Sequence, residues 1–240
     1  MQPQINVEWI KLRKKGNGKK ELVENLTCEF IGSRFMNRGM PDDLVMDFAG
    51  GNCKPTMEFL YDYNEWRILE ALVDPILYFR PYCVVEIGCG ESTKILAKAS
   101  DKAEVAFYSC DKSPDKQPKQ ACTRHKHYQM MSDQFMSKFD DTPALVLIDG
   151  DHNYETAKEE FYFFYERLVP GGVIFIHDTF PPHKQYLELS SCGDVYKLRQ
   201  ELEKKTVELD MDIFTWPYTA KFSGLTMVTK KDKDRPYWGK

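Results

Sequence analysis

The sequence predicts a Rossmann-like α/β fold, a three-layer sandwich around a mostly parallel seven-stranded sheet with an antiparallel edge strand. Helix and strand patterns alternate from residue 64 onward, as in sheets that carry helices on both faces. The segment 144–149 is predicted as a buried strand that ends in an acid, and 173–176 is a continuous apolar run, which suits a central parallel strand. The last two strand patterns, 211–216 and 224–229, are expected to pair as an antiparallel edge.

The elements of this fold follow from local periodicity. Apolar residues at helical spacing predict helices over 64–79, from Ser92 or Thr93 through Ala99, over 153–168 and over 194–206. Pro75 is expected to kink or interrupt the first of these helices. Further strands are predicted at 83–88, 105–111 and, as a short one, 127–131, whereas 112–127 gives no definite pattern.

Composition restricts the class of protein. The chain has 240 residues with 42% apolar and 29% charged residues, which fits a globular protein with a sizeable core. A net charge of −4 does not favour a nucleic-acid partner. The N-terminal residues lack the apolar core of a signal peptide, and no apolar run is long enough to cross a membrane. The seven cysteines show no metal-binding spacing, so we expect a reducing, cytoplasmic location.

Three regions are distinguished along the chain. Residues 64–230 carry the α/β pattern and form the predicted folded domain. Residues 1–63 are irregular and are interpreted as an N-terminal arm or lid that does not fold independently. Residues 231–240 are expected to form a frayed C-terminal tail.

A glycine-containing turn follows the first predicted strand. Gly88 and Gly90 allow a sharp bend and a close approach of the backbone to a ligand. Thr93 stands where a dinucleotide fingerprint has its third glycine, which disfavours a pyrophosphate at this helix. The turn instead suits a ligand with an amino-acid part. Glu86 can approach its cationic end, while Ser92 and Thr93 can bind its carboxylate.

An acidic residue ends the second predicted strand. Asp111 follows the turn at about the distance, ~20 residues, at which an acid binds ribose hydroxyls in related α/β folds. The combination of strand, turn, helix, strand and terminal acid therefore predicts a nucleoside-containing ligand.

With these motifs, the sequence resembles the class I S-adenosylmethionine-dependent methyltransferases. The matching segments are 86–90, Asp111 and 168–172, and more narrowly 148–155 and 176–179. The narrower set resembles an O-methyltransferase-like family of the methyltransferase domain 24 type, which includes macrolide-sugar and cephamycin-pathway enzymes. The resemblance covers about 64–230 and implies S-adenosylmethionine as cofactor, with Asp149 among the residues that bind it.

Polar side chains follow the fourth and fifth predicted strands. Asp149, Asp151 and His152 end the former, and His177 with Asp178 ends the latter. Since neighbouring parallel strands end at one edge of a sheet, the two groups are expected to meet there. Carboxylates suit Mg²⁺, and a histidine shifts the preference toward Mn²⁺ or toward no metal. The resemblance implies Asp149, His177 and Asp178 as the metal ligands.

Two residues are candidates for the general base of a methyl transfer. His152 has an ordinary pKa near neutrality, and it matches the base of catechol-type relatives. Asp151 matches the base proposed for the macrolide-sugar type. A structural interpretation also exists, because Asp151 or Asn153 could cap the helix that follows.

These features together predict O-methylation of a small hydroxylated acceptor, with S-adenosylmethionine and a divalent ion as cofactors. A homo-oligomer is compatible with the sequence. Two other functions stay open at this point. One is an NAD(P)-dependent oxidoreductase, which the missing third glycine disfavours. The other is a catalytically idle accessory protein, which the acids at three strand ends disfavour.

Overall fold

A computed structural model describes residues 65–116, 118, 122–181, 184–188, 191–216 and 223–232. These residues lie within one compact unit, Tyr63–Lys240. The predictions for the arm 1–63 and for residues 233–240 concern parts of the chain outside this description.

Seven strands form one sheet in the order β3-β2-β1-β4-β5-β7-β6. The strands are β1 Cys83–Ile87, β2 Phe107–Asp111, β3 His125–Gln129, β4 Pro143–Ile148, β5 Val173–His177, β6 Met211–Trp216 and β7 Leu225–Lys230. The first five run parallel, and β7 pairs antiparallel with both β5 and β6. The predicted fold class is confirmed.

Five α-helices accompany the sheet in the described part of the chain. They are α1 Glu65–Phe79, α2 Glu91–Ala103, α3 Ser132–Met136, α4 Tyr154–Arg167 and α5 Tyr196–Lys204. The predicted interruption at Pro75 is wrong, because α1 continues through it. Val73 and Leu77, on either side of the proline, are both buried in the core, and this packing holds the helix together. None of the described helices has the length and apolar character needed to span a membrane.

Two apolar layers sandwich the sheet, and β4 shows how one strand serves both. Val146 and Ile148 belong to the layer that contains Phe161 and other α4 residues. Leu145 and Leu147 belong to the opposite layer, where α1 and α2 pack. Successive side chains of a strand point to opposite faces, so a strand covered on both faces is apolar throughout.

The five described cysteines are buried free thiols. Burial raises the pKa of the Cys110 thiol to about 12, and the charges of Glu160 and Asp111 add to the effect. Such a thiol behaves as a small apolar side chain.

Candidate active site

The turn after β1 contains two glycines that do different things. Gly88 has a φ of +85°, and a Cβ added there would overlap the backbone carbonyl of Asp149, which follows β4. No atom lies within 4 Å of a Cβ added at Gly90. Gly88 is therefore required by the packing of two neighbouring strand ends, whereas Gly90 leaves space open beside the turn.

The side chains around this turn bond chiefly to one another. Glu86 is fully buried, and its Oε1 accepts a hydrogen bond of 2.5 Å from the Ser92 hydroxyl. The Gly90 N–H donates to Thr93 Oγ1 over 2.9 Å. Ser92 and Thr93 are also buried. The three side chains thus build the turn, and their predicted contacts with the two ends of an amino-acid ligand stay predictions.

Glu86 should make the stability of the protein depend on pH. Burial raises its pKa from 4.5 to about 8, and this effect outweighs the hydrogen bond from Ser92, which lowers the pKa. Between these values the folded state keeps a proton that the unfolded chain has released, so the free energy of unfolding falls as the pH rises. We expect the wild type to lose stability relative to Glu86→Gln between about pH 5 and pH 8, by at most ~1.4 kcal/mol per pH unit. Urea unfolding at several pH values measures this difference.

Glu91→Gln is the matched control, because the Glu91 side chain is 73% exposed and pairs only with Lys94 on the surface. A difference between wild type and Glu86→Gln that does not change with pH would contradict the assignment of a protonated, buried carboxyl.

Asp111 ties the turn after β1 to the turn after β2. Its Oδ2 accepts a hydrogen bond from the Cys89 N–H over 2.8 Å, and its Oδ1 accepts one from the Ser113 N–H over 2.7 Å. The carboxylate is partly exposed at the end of β2. Asp111 is thereby fixed in orientation before any ligand arrives.

A cavity of about 330 Å³ opens at the carboxyl ends of β1 to β4. Gly88, Asp111 and Asp151 are the sequence-predicted site residues that line it. The remaining lining residues come from β1, from β2 and the residue after it, from the segments after β3 and β4, and from α4: Ile87, Cys110, Lys112, Met130, Met131, Ser132, Asp133, Gln134, Met136, Gly150, Thr156, Glu159 and Glu160. Glu86, Gly90, Ser92, Thr93 and Asp149 are not part of this lining.

Glu160 is a cavity residue that the sequence analysis missed. It is fully buried in α4, and neither carboxylate oxygen has a hydrogen-bond partner. The sequence contains a signal for its position. Glu160 lies three residues after Ala157 on the apolar face of the helix, and this spacing predicts that it faces the core. A carboxylate at a core-facing position is uncommon and is a signal of function.

A second cluster lies where β4 and β5 end. Asp149, His152 and Asp178 each offer one donor atom, and these atoms lie within 4.8 Å of one another. His152 Nε2 is 3.0 Å from Asp178 Oδ2. His177 lies beside the cluster, with its Nδ1 3.0 Å from Asp149 Oδ1 and 3.3 Å from Asp178 Oδ1. The two predicted groups do meet, and the set with metal-binding geometry contains His152 rather than His177.

The backbone around this cluster has an uncommon conformation at Asp178 and a close contact at His152. Asp178 has a φ of +59°, which is uncommon for a residue other than glycine and is typical of functional sites. Its carboxyl is buried, which favours the neutral form, yet the close approach of His152 and His177 holds the pKa of Asp178 below its usual range. A Cβ at Gly193 would overlap the carbonyl of His152, and the Asp194 N–H donates to that same carbonyl over 3.1 Å.

Asn153 is the N-cap of α4. Its side chain accepts hydrogen bonds from the backbone N–H groups of Glu155 and Thr156, over 3.0 and 3.3 Å. The interpretation of Asp151 as that cap is therefore wrong, because Asn153 occupies the cap position. Asp151 lines the cavity instead, 3.4 Å from the hydroxyl of Thr156.

The fold and these strand-end acids define a class of protein, the class I S-adenosylmethionine-dependent methyltransferases. Residues 85–179 match the family model described as a methyltransferase domain. This match spans less than half of the chain, and it supports the resemblance to the O-methyltransferase-like family of that class. A comparison of the sequence with curated proteins found no match.

Solved structures with the same fold are distant in sequence. Cofactor-bound Rv0187 from MTB has a TM-score of 0.55 and 12% identity, over 95% of this chain and 96% of that one. An O-methyltransferase from Bacillus cereus, in complex with SAH, has a TM-score of 0.53 and 14% identity over 93% and 96%. The O-methyltransferase TomG from Streptomyces achromogenes, in complex with SAM, has a TM-score of 0.50 and 16% identity over 69% and 80%. At these identities the likeness is one of fold.

Proposed function

We propose that the protein transfers a methyl group from S-adenosylmethionine to an oxygen of a small hydroxylated acceptor, assisted by a divalent cation. One observation carries the proposal. The segment 149–152 belongs to two sites at once, since Gly150 and Asp151 line the cavity while Asp149 and His152 belong to the polar cluster. A methyl donor bound in the cavity and a methyl acceptor bound at the cluster would therefore lie next to each other, on either side of the segment 149–152.

The cavity suits the nucleoside part of the cofactor. Asp111 presents a carboxylate at its wall, and a carboxylate can accept hydrogen bonds from both ribose hydroxyls. Met130, Met131 and Met136 supply an adaptable apolar wall, and thioethers pack well against aromatic rings. The open space at Gly90 leaves room for the amino-acid part beside the turn.

The polar cluster suits a divalent cation with open coordination positions. Asp149 and Asp178 provide carboxylate oxygens, which hard cations prefer, and His152 provides an imidazole nitrogen, which favours Mn²⁺ over Mg²⁺. We therefore assign His152 in place of His177 to the ligand set. His177 contacts Asp149 and stacks on Trp66 with ring centroids 4.8 Å apart, so it acts as a support that orients the carboxylate.

This assignment also bears on the general base. A bound cation would lower the pKa of an acceptor hydroxyl. A His152 nitrogen that serves as a ligand is not available to take the proton, so Asp151, on the cavity wall, is the residue we assign to that role. The methyl group of a sulfonium is already activated, and the chain's remaining task is to align the two reactants.

The proposal is tested with the purified protein, methyl-labelled S-adenosylmethionine, Mn²⁺ and a panel of phenols, catechols and sugars. We expect SAH to form only when an acceptor is present, and we expect its formation to stop when EDTA is added. Formation that persists in EDTA would remove the cation from the mechanism. A calorimetric titration in which SAH does not bind and NADH does would overturn the methyltransferase assignment in favour of an oxidoreductase.

A further inference from the structure

Glu160 has no role in the reaction described above, yet it is the most unusual residue of the cavity. Its side chain is completely buried, and both carboxylate oxygens lack a hydrogen-bond partner. A buried polar group in this state destabilises a protein, and native structures satisfy nearly all such groups. A partner that comes from outside the chain would resolve the deficit, and Glu160 borders the cavity from which it would come.

The charged groups around Glu160 do not provide that partner. Those that act on it, Asp151 and Glu159, are themselves acids. The Ser132 side chain favours the charged form but does not reach hydrogen-bonding geometry. Burial dominates and raises the pKa of Glu160 to about 7. Within the described part of the chain no donor reaches Glu160, so we look for a hydrogen-bond donor that enters the cavity.

Another residue of the lining suggests what this donor is. Asp111 is the proposed ribose site, and Glu160 lines the same cavity from α4. The remaining lining is mixed, with apolar side chains such as Ile87, Met130 and Met136 beside polar ones. A purine attached to a ribose at Asp111 would place its flat faces against apolar side chains, and its polar edge would need a polar group. Adenine carries an amino donor on that edge.

We propose that Glu160 accepts a hydrogen bond from the exocyclic amino group of the adenine ring, and that it thereby selects adenine over a purine with a carbonyl oxygen at the same position. This inference rests on the proposed use of S-adenosylmethionine. Specificity arises when Glu160 is ionised, because a carboxylate has no proton to donate and a purine carbonyl would then face a second acceptor in a buried site, which is costly.

Calorimetry with SAH and with S-inosylhomocysteine, at a pH above 8 where Glu160 is ionised, tests the proposal. The second ligand has a carbonyl oxygen in place of the amino group and a hydrogen on the adjacent ring nitrogen. We expect the wild type to prefer SAH by at least ~10-fold. Glu160→Leu should lose ~10- to 100-fold in affinity for SAH and little or none for the inosyl ligand, so that the preference disappears. Its melting temperature without ligand should stay the same or rise, because an unsatisfied carboxyl has been removed.

Two further variants complete the test. Glu160→Gln keeps an oxygen that can accept from the adenine amino group and gains an amide N–H that can donate to a carbonyl. It should bind SAH nearly as well as the wild type and bind the inosyl ligand more tightly. Glu166→Gln, which removes an exposed carboxylate of α4 outside the cavity lining, should change neither affinity.

An equal loss of affinity for both ligands in Glu160→Leu would overturn the proposal, since that is the result of a purely structural role. A wild type that binds SAH and the inosyl ligand equally well would overturn it while leaving the proposed function intact. A wild type that binds neither ligand would instead show that the proposed function itself fails.

Discussion

Asp149→Asn should weaken the binding of Mn²⁺ at least ~100-fold, because removing even an outer-shell partner of a metal ligand typically costs ~10- to 100-fold. The substitution keeps the size of the side chain and removes one of the two carboxylate charges assigned to the cation. Electron paramagnetic resonance of free Mn²⁺ measures the affinity directly, with no need to know the methyl acceptor. Circular dichroism of the variant verifies the fold.

Three companion variants determine which residues form the ligand set. Asp151→Asn removes a neighbouring carboxylate that lies outside the cluster and should have only a small effect. His152→Gln should abolish tight binding, whereas His177→Gln should weaken it only moderately through the position of Asp149. If His177→Gln weakened Mn²⁺ binding more than His152→Gln, the result would support the ligand set implied by the sequence resemblance, which contains His177. Mn²⁺ binding that survives Asp149→Asn would rule out both sets.

The second large effect is expected at the proposed ribose site. Asp111→Ala should reduce the affinity for SAH by ~30- to 1000-fold, since two hydrogen bonds to a charged group contribute roughly 2–4 kcal/mol. The same substitution leaves the N–H groups of Cys89 and Ser113 without their acceptor, so some loss of thermal stability will accompany it.

Asp111→Asn separates these two effects. Its remaining oxygen can accept one of the two backbone hydrogen bonds, so stability should fall less than in the alanine variant. Affinity for SAH, measured by calorimetry below the melting temperature of each variant, should still fall. Unchanged affinity in folded Asp111→Ala would place the ribose elsewhere.

The parts of the fold that follow from local sequence were predictable. The apolar run of β4 predicted a strand covered on both faces, and the turn at Gly88 was located because strand, glycine and helix signals adjoin. The terminal acids of β2, β4 and β5 were also identified, because parallel strands bring such residues to one edge.

Other features depend on contacts between segments that are far apart in the chain. The local sequence of each segment gives little or no signal of such contacts. His152 enters the metal-binding geometry through its approach to Asp178, which another strand supplies. The backbone of His152 is held by Gly193 and Asp194, about forty residues later in the chain. Continuity of α1 through Pro75 likewise depends on packing in the core, which local propensity does not describe.

The contact between Gly88 and Asp149 has a consequence for how descendants of this enzyme would diverge. A glycine at position 88 is required for two strand ends to fit together, so selection would retain it in a lineage that had lost its cofactor. Position 90 has no such steric constraint, and its φ of −170° is accessible to any residue. With the cofactor contacts proposed above, drift at Gly90, Asp111 and Glu160, rather than persistence of Gly88, would mark a homologue that has abandoned methyl transfer.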